Sequence, residues 1–267
     1  MLMIWVAPTD TVGDACESNW SRAAMVIDTH QHLGRSRFTG QETTEAELFA
    51  GMRGNGIDMA LVMPQATLDS ASALHDRIAA LAGLETDRVR GIASICPWVD
   101  EIEYRAEAER CVRELNFVAL KLDPNGHGLA INSAQARRCF DAASELGVPI
   151  IVHTGFGVPN SLPSLALPVA REYPELPIVL AHAGFVTYAA EAHVVAREAD
   201  NIYLEPSWCT VFQLREFYLA LGPTRLLFGT DHVANMPVEL AKFRSAGIPD
   251  RDLETIFETT PRTLLKL

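Results

Sequence analysis

The sequence predicts an α/β fold, a (β/α)8 TIM barrel in a single domain, on the strength of three observations. Short apolar runs rich in β-branched residues recur eight times along the 267 residues. Segments with the apolar spacing of helices lie between these runs, and the runs recur at intervals of about 30 residues, the length of a βα unit. An open doubly wound sheet is the alternative, but no GxGxxG motif follows the first run. Eight βα units match a closed barrel.

The eight predicted strands are continuous apolar runs without strict alternation. This pattern is typical of parallel strands that are buried on both faces. Several runs end at proline or glycine, which terminate strands. In chain order they are MVIDTH (25–30), DMALVMP (58–64), GIASICP (91–97), VALKLDP (118–124), PIIVHTG (149–155), PIVLAHAG (177–184), NIYLEP (201–206) and RLLFGTD (225–231).

The segments between the runs predict the helices. The first covers 43–56, with Thr43 or Thr44 as N-cap and acidic residues in its first turn. The helix over 133–147 ends at Gly147, a common C-terminal signal. The remaining helices are predicted over 70–87, 101–115, 165–174, 187–200 and 210–222, and the tail 237–267 is predicted to form helices that close the barrel.

Composition and charge restrict the partners. The formal net charge is −12 with a pI near 5.1, which argues against nucleic acid or an anionic membrane as the main partner. Five scattered cysteines without a CxxC pair indicate reduced thiols, and no apolar run is long enough to span a membrane. We therefore expect a cytoplasmic protein that acts on a small molecule, with a homodimer as one possible assembly.

The first 24 residues are predicted to be a poorly patterned N-terminal extension, and 25–267 the barrel domain. Met25 directly precedes the first predicted strand. It is therefore a candidate for the natural start of the chain.

Polar residues stand where the predicted strands end, which is where barrels carry their chemistry. His30 and His32 are two residues apart, so both side chains can face the barrel axis. Three imidazoles and one carboxylate converging there would suit Zn²⁺, Mn²⁺ or Fe²⁺. One histidine at a strand end is usually structural, but burying so many polar groups without a shared purpose would be costly. The set is His30, His32, His153, His182 and Asp231, with Lys121 and Glu205 on neighbouring strands.

The other histidines are not expected to bind the metal. His75 and His193 lie in predicted helices and are interpreted as surface or packing residues. His127 lies in a loop and could line the pocket, but solvent contact is expected. His232 follows Asp231 directly, so strand alternation predicts that it points to the opposite side and packs there.

Four charged residues are left with more than one reading each. Lys121 could be a hydrogen-bond donor beside the metal, a carbamylated bridge between two metals or a lysine tied to nearby carboxylates. Glu205 could be a pocket acid or a paired structural acid. Arg35 and Arg37, in the loop after the first strand, could clamp an anionic substrate or merely be solvated.

The motifs IDTHQHLG, VALKLDP, IIVHTG, IVLAHAG and LLFGTDHV resemble the amidohydrolase superfamily. The likeness is greatest to the amidohydrolase-related branch, which includes aminocarboxymuconate-semialdehyde decarboxylase. That branch often has Gly-Ser-Asp-x-Pro on strand 8, whereas this chain has Gly229-Thr230-Asp231-His232-Val233. The resemblance implies that one divalent ion, Zn²⁺ by preference, is held by His30, His32, His153 and Asp231, with His182 just beyond it.

The first functional hypothesis is a metal-dependent hydrolase, in which metal-activated water attacks an amide, ester or lactone carbonyl and Asp231 and His182 are catalytic. The alternative is a non-oxidative decarboxylase or hydratase acting on a small carboxylic acid. In both, Arg35, Arg37, Lys121 and Glu205 are the candidate substrate-binding residues. A barrel that binds a metal without catalysis is a third hypothesis, disfavoured because every site position is filled.

Overall fold

The structure, a computed structural model, describes residues 25–37 and 40–267. The predicted extension 1–24 and Cys16 lie outside the described residues. The strands are β1 (Ile27–Arg35), β2 (Glu42–Thr43), β3 (Met59–Pro64), β4 (Val89–Ser94), β5 (Ala119–Leu122), β6 (Ile150–His153), β7 (Ile178–Ala181) and β8 (Ile202–Glu205). The helices are α1 (Glu45–Asn55), α2 (Ser72–Leu84), α3 (Glu101–Arg113), α4 (Pro124–His127), α5 (Ala134–Leu146), α6 (Ala166–Glu172), α7 (Phe185–Glu198), α8 (Val211–Leu221), α9 (Met236–Ser245), α10 (Asp250–Glu254) and α11 (Thr260–Leu265).

The strands form one curled sheet in the order β2-β1-β3-β4-β5-β6-β7-β8. All neighbouring pairs are parallel except β1 with β2, where the two-residue β2 adds an antiparallel edge. Helices follow the parallel strands, as the sequence predicted. The α/β barrel is thereby confirmed.

The eighth predicted strand differs from expectation, since 226–231 closes the barrel without forming a regular strand. It makes isolated bridges, Leu226 with Leu204 of β8 and Asp231 with Gln31 of β1. The Thr29 N–H donates to the Phe228 carbonyl at 2.9 Å and closes the ring. Asp231 has φ +64°, outside the β region, so the ladder cannot continue through it.

A buried carboxylate strengthens this closure. Asp28 accepts hydrogen bonds from the Thr230 hydroxyl at 2.6 Å, the Thr230 N–H at 3.1 Å and the His30 N–H at 3.1 Å. Burial raises the pKa of Asp28 to about 7, although these hydrogen bonds oppose the rise. Side-chain hydrogen bonds thus replace missing ladder bonds between the first strand and the last segment.

The helix signals in the sequence act as predicted. Thr44 caps α1 in a capping box with Glu47, and Gly56 ends it in the left-handed conformation. Ser133 caps α5, and Gly147 ends it with φ +67°, a conformation that glycine adopts without steric cost. None of the helices in the described ranges could span a bilayer: α7, at 14 residues, falls short of the required length.

Two apolar layers explain why the strands are apolar throughout. Met59 and Leu61 of β3 pack inside the barrel, whereas Ala60 and Val62 pack between the sheet and the helices. The other strands alternate in the same way between the two layers. This alternation also fixes which side chains at the strand ends point inward.

Candidate metal centre

Strand alternation carries polar side chains into the barrel at its C-terminal end. Lys121 follows the inward-facing Ala119 by two residues, and His153 follows the inward-facing Ile151 by two. Side chains two apart share a face of the strand. The alternation that directs Ala119 and Ile151 into the barrel core therefore also directs Lys121 and His153 inward, one step closer to the C-terminal end of the barrel.

Three ligand atoms meet at one point. The Nε2 atoms of His30 and His32 are 3.2 Å apart. The Oδ1 atom of Asp231 lies 3.5 Å from the first and 3.4 Å from the second. His30 is fully buried, and His32 is 9% exposed. We call these three residues the triad.

Hydrogen bonds outside the triad assign its tautomers. The Nδ1 of His30 lies 2.9 Å from Oε2 of Glu205, so it carries the proton and donates. The Nδ1 of His32 lies 3.2 Å from the Pro64 carbonyl and donates to it. In the neutral tautomers with these Nδ1–H donors, both Nε2 atoms carry lone pairs, and these face each other.

The third ligand of the triad is anionic. Burial opposes ionisation of Asp231, but the imidazoles of His182, His32 and His30 outweigh it and hold the pKa of this carboxyl well below its usual range. Two lone pairs and a carboxylate oxygen at van der Waals distance repel one another unless a cation lies among them.

The triad fits a divalent metal. Ligands at about 2.1 Å from a tetrahedral or octahedral ion lie roughly 3.0–3.4 Å from one another. Two separations in the triad, 3.2 and 3.4 Å, fall within that range, and the third, 3.5 Å, lies just above it. The carboxylate hydrogen bond to Nδ1 of His30 is the usual support for a metal-binding imidazole.

Lys121 brings a nitrogen to the same point. Its side chain is 2% exposed, and its Nζ lies 3.1 Å from Nε2 of His30. Burial lowers the pKa of Lys121, while Asp123, Asp231 and Glu205 oppose the change. The pKa of Asp123 falls to about 2 because His153 and Lys121 outweigh the cost of its burial. The Nζ of Lys121 therefore lies beside the triad, and its role there stays a prediction.

His182 lies against the triad, and its tautomer is also assigned. Its ring stacks on His30 with centroids 4.8 Å apart. Nδ1 lies 2.8 Å from the Ser207 hydroxyl, which itself donates to Glu205 at 3.1 Å. Ser207 therefore accepts the Nδ1 proton, and Nε2 of His182 remains unprotonated.

His153 stands apart from the triad. Its Nε2 lies 2.8 Å from the Phe156 carbonyl, to which it donates, and its ring meets His182 edge-on with centroids 4.9 Å apart. It is absent from the groups of described residues whose ligand atoms all lie within 4.8 Å of one another. Its assignment as a fourth ligand stays a prediction.

The remaining predicted substrate-binding residues are not among those that line the cavity. Glu205 is 1% exposed, and hydrogen bonds from His30, Ser207 and the His182 backbone occupy its oxygens. Arg35 and Arg37 are exposed, and the Arg35 guanidinium donates to the Gly40 carbonyl at 3.1 Å. Glu205 thus supports His30, and the two arginines lie outside the cavity lining.

Two histidines are placed differently from the sequence interpretation. His232 lines the cavity, because the positive φ of Asp231 interrupts the strand alternation on which the prediction depended. Its ring accepts from the Ala234 N–H at 3.1 Å. His127 is buried at the end of the short helix α4, which Asp123 caps and Pro124 begins. The expected solvent contact is wrong.

Of the two readings of His75, surface or packing, the structure shows the packing one. Although His75, Glu107 and Cys111 lie close together, both ring nitrogens of His75 are engaged. Nδ1 donates to Glu107 at 2.7 Å, and Nε2 accepts from the Ser94 N–H at 3.0 Å. This cluster ties α2 and α3 to β4 and leaves no lone pair for a metal.

A cavity of about 500 Å³ opens onto the triad. A larger cavity of about 680 Å³ lies at the opposite end of the barrel, beside 147–149 and 177, and no histidine lines it among the described residues. The chemistry therefore belongs to the smaller cavity. Its lining comprises His32, Ser36, Gln41, Thr43, Gln65, Lys121, Asp123, Asn125, His153, Phe156, His182, Trp208, Asp231, His232 and Ala234.

Ser207 and Trp208 are site residues that the sequence did not reveal. Ser207 fixes the tautomer of His182, and the Trp208 indole donates to Oδ2 of Asp231 at 2.8 Å. The only sequence signal is their position directly after the polar end of a predicted strand.

Solved structures with this fold include three decarboxylases. The 5-carboxyvanillate decarboxylase of Sphingomonas paucimobilis is 16% identical, with 92% of this chain and 100% of that chain covered at a TM-score of 0.74. The 2,6-dihydroxybenzoate decarboxylase of Rhizobium is 18% identical, with 91% and 99% covered at 0.74. The 5-carboxyvanillate decarboxylase of Novosphingobium aromaticivorans, complexed with manganese and 4-hydroxy-3-methoxy-5-nitrobenzoic acid, is 16% identical, with 92% and 97% covered at 0.76. These likenesses show the shared fold.

Among curated proteins, no sequence matches this chain. The amidohydrolase family model matches residues 27–267, from the first residue of β1 to the last residue of the chain. The match spans every strand of the barrel and each member of the triad. The chain therefore belongs to the amidohydrolase family, in the amidohydrolase-related branch that its motifs predicted.

Proposed function

We propose that this protein is a metal-dependent non-oxidative decarboxylase of a small aromatic carboxylic acid. The observation that carries the proposal is the triad, two imidazole lone pairs and an ionised carboxylate, beside the buried Nζ of Lys121. Support comes from structures of the same fold that are decarboxylases of 5-carboxyvanillate and 2,6-dihydroxybenzoate. One of them is complexed with manganese.

His30, His32 and Asp231 would hold the metal, Mn²⁺ or Zn²⁺, with His153 as the proposed fourth ligand. The ion would supply Lewis acidity that polarises a carboxylate or hydroxyl of the substrate. Lys121 adds a nitrogen donor at the same end of the cavity. The rings of Phe156 and Trp208 line the cavity, so they can stack on an aromatic substrate.

Decarboxylation replaces a carbon–carbon bond by a carbon–hydrogen bond, so one proton must reach the carbon that loses CO₂. His182 lines the cavity with an unprotonated Nε2, because its Nδ1 proton is committed to Ser207. It can take a proton at Nε2 and deliver it to that carbon. Asp231 lies in the same cavity, but its lowered pKa keeps it ionised, so its proposed role is to hold the metal.

Hydrolysis of an ester, amide or lactone is the second candidate. It is favoured by the same unprotonated Nε2 of His182, which can equally deprotonate a water molecule. In that reaction His182 would remove a proton from the water molecule that attacks the carbonyl, instead of delivering a proton to carbon.

Matched substrates separate the two candidates. Protein loaded with Mn²⁺ is incubated with 2,6-dihydroxybenzoate, 5-carboxyvanillate and related hydroxybenzoates, and with the methyl ester of each. We expect CO₂ and the decarboxylated phenol from at least one free acid, with turnover at least about 10²-fold lower in Asp231→Asn. Hydrolysis of the esters without CO₂ release from any acid would contradict the proposal and favour the hydrolase.

A further inference from the structure

The two oxygens of Asp231 have different partners. Oδ1 faces the Nε2 atoms of His30 and His32 at 3.5 and 3.4 Å. Oδ2 accepts a hydrogen bond from the indole Nε1 of Trp208 at 2.8 Å. The indole thus occupies the oxygen that the triad does not use.

We infer that Trp208 is a positioning residue that holds the Asp231 carboxylate with Oδ1 directed at the metal site. The inference rests on the metal site of the proposed function. A carboxylate without such a partner can rotate about its side-chain bond. With Oδ2 held by the indole, Oδ1 is already oriented for the metal, so loss of the indole should weaken metal binding.

The backbone of Trp208 indicates that its surroundings force it into place. Its φ is +64°, a conformation that is unfavourable for a bulky side chain and persists only where neighbouring groups over-determine it. The Trp208 N–H donates to Oε1 of Glu239 at 2.9 Å. A buried acid of α9 therefore holds the strained residue from outside the barrel.

Lys242, one turn along α9, completes this support. Its Nζ forms an ion pair with Glu239 and donates to the carbonyls of Pro206 at 2.7 Å and Cys209 at 3.2 Å. The two charged side chains are 2% and 8% exposed. The pair thus hydrogen-bonds to the backbone of Trp208 and to carbonyls before and after it.

The same helix also holds the residue before Asp231. The Asn235 side-chain amide, directly before α9, donates to the Thr230 carbonyl at 3.0 Å and to Oε1 of Glu239 at 3.2 Å. Both ends of the hydrogen bond between Trp208 and Asp231 are therefore anchored to Glu239. The relative position of indole and carboxylate is fixed by α9.

The test is the affinity for Mn²⁺ alone, measured without substrate. Metal-free wild type, Trp208→Phe and Trp98→Phe are titrated with Mn²⁺, and the free ion is measured by electron paramagnetic resonance. Trp98 is the matched control, since its indole also donates, to the His127 carbonyl at 2.8 Å, without touching the triad. We expect the Kd to rise about tenfold in Trp208→Phe and to stay within threefold of wild type in Trp98→Phe.

A second readout follows the indole itself. Paramagnetic Mn²⁺ should quench tryptophan fluorescence in Trp98→Phe, and most of that quenching should be lost in Trp208→Phe. If Trp208→Phe does not fold, Glu239→Gln replaces it, keeping the indole but removing the charge that holds it, with a Kd more than threefold above wild type expected.

The test distinguishes failure of this inference from failure of the proposed metal site. A Kd for Trp208→Phe within threefold of wild type, or an equal rise in Trp98→Phe, overturns the role of Trp208 and leaves the metal site standing. Wild type that binds no Mn²⁺ overturns the metal site and this inference together.

Discussion

A histidine binds a metal only through a nitrogen without a proton. Here hydrogen-bond acceptors outside the triad determine which ring nitrogen that is. Glu205 of β8 accepts a hydrogen bond from the Nδ1–H of His30, and the Pro64 carbonyl of β3 accepts one from the Nδ1–H of His32. Ser207 does the same for His182. The imidazoles are thereby prepared before any ligand arrives, so less reorganisation is needed when one binds.

His182 should separate metal binding from turnover. In His182→Ala we expect metal content to stay near one ion per chain, because the triad lies on other residues, while turnover falls by about 10²–10⁴-fold with the loss of the proton-transfer group. Metal analysis and steady-state rates on the same sample check this. Parallel loss of metal would make His182 a ligand.

The sequence revealed the residues whose position alone determines their role. His30, His32, Lys121, His153 and Asp231 stand at strand ends, so a barrel places them at one end. Ser207, Trp208 and the orientation of His232 were beyond sequence reasoning. They depend on the positive φ of Trp208 and Asp231, which strand alternation does not anticipate.

At the scale of elements, packing of β4 depends on a glycine. A Cβ on Gly91 would lie 2.2 Å from Cε1 of Phe117, the buried residue just before β5. The absence of a side chain at this position lets the ring cover the strand. The sequence predicted the strand but not this contact, because nothing in the run GIASICP identifies its neighbour.

A pair of identical substitutions tests this packing. Gly91→Ala should lower the free energy of unfolding by about 1–3 kcal/mol through overpacking against Phe117. Gly54→Ala should raise it by about 0.5–1 kcal/mol, since this exposed position of α1 has no atom within 4 Å of a new Cβ and alanine is the better helix former. Urea unfolding followed by circular dichroism measures both. Equal effects would refute the packing argument.

Across the whole molecule, acid stability should depend in part on Glu107. Burial opposes its ionisation, but hydrogen bonds from Arg110 and His75 outweigh this and lower its pKa from 4.5 to about 2. As the pH falls, Glu107 is therefore protonated in the unfolded chain at a higher pH than in the folded protein. The stabilisation is complete above about pH 4.5 and is lost as the pH falls towards about 2.

Glu107→Gln isolates this contribution. Between pH 7 and pH 3 wild type should lose on the order of 1–3 kcal/mol more unfolding free energy than the variant. Chemical denaturation at each pH provides the measurement. Parallel pH profiles for the two proteins would exclude Glu107 as an acid-sensitive link between α2 and α3.

The barrel as a whole was predictable because eight buried runs alternating with helices leave few other solutions. Its closure was not. The segment 226–231 resembles the other runs in composition, yet Gly229, Thr230 and the positive φ of Asp231 leave only isolated bridges. Closure there relies on the buried side chain of Asp28, which no periodicity would have revealed.

This closure sets an order of events during synthesis. Asp28 and Thr230 are 202 residues apart, and the triad has two members near the first of these residues and one beside the second. At about 5–20 residues per second, a ribosome needs roughly 10–40 s to extend the chain from one to the other. The nascent chain therefore exposes His30 and His32 long before Asp231 exists, and the complete triad forms only when the barrel is nearly finished.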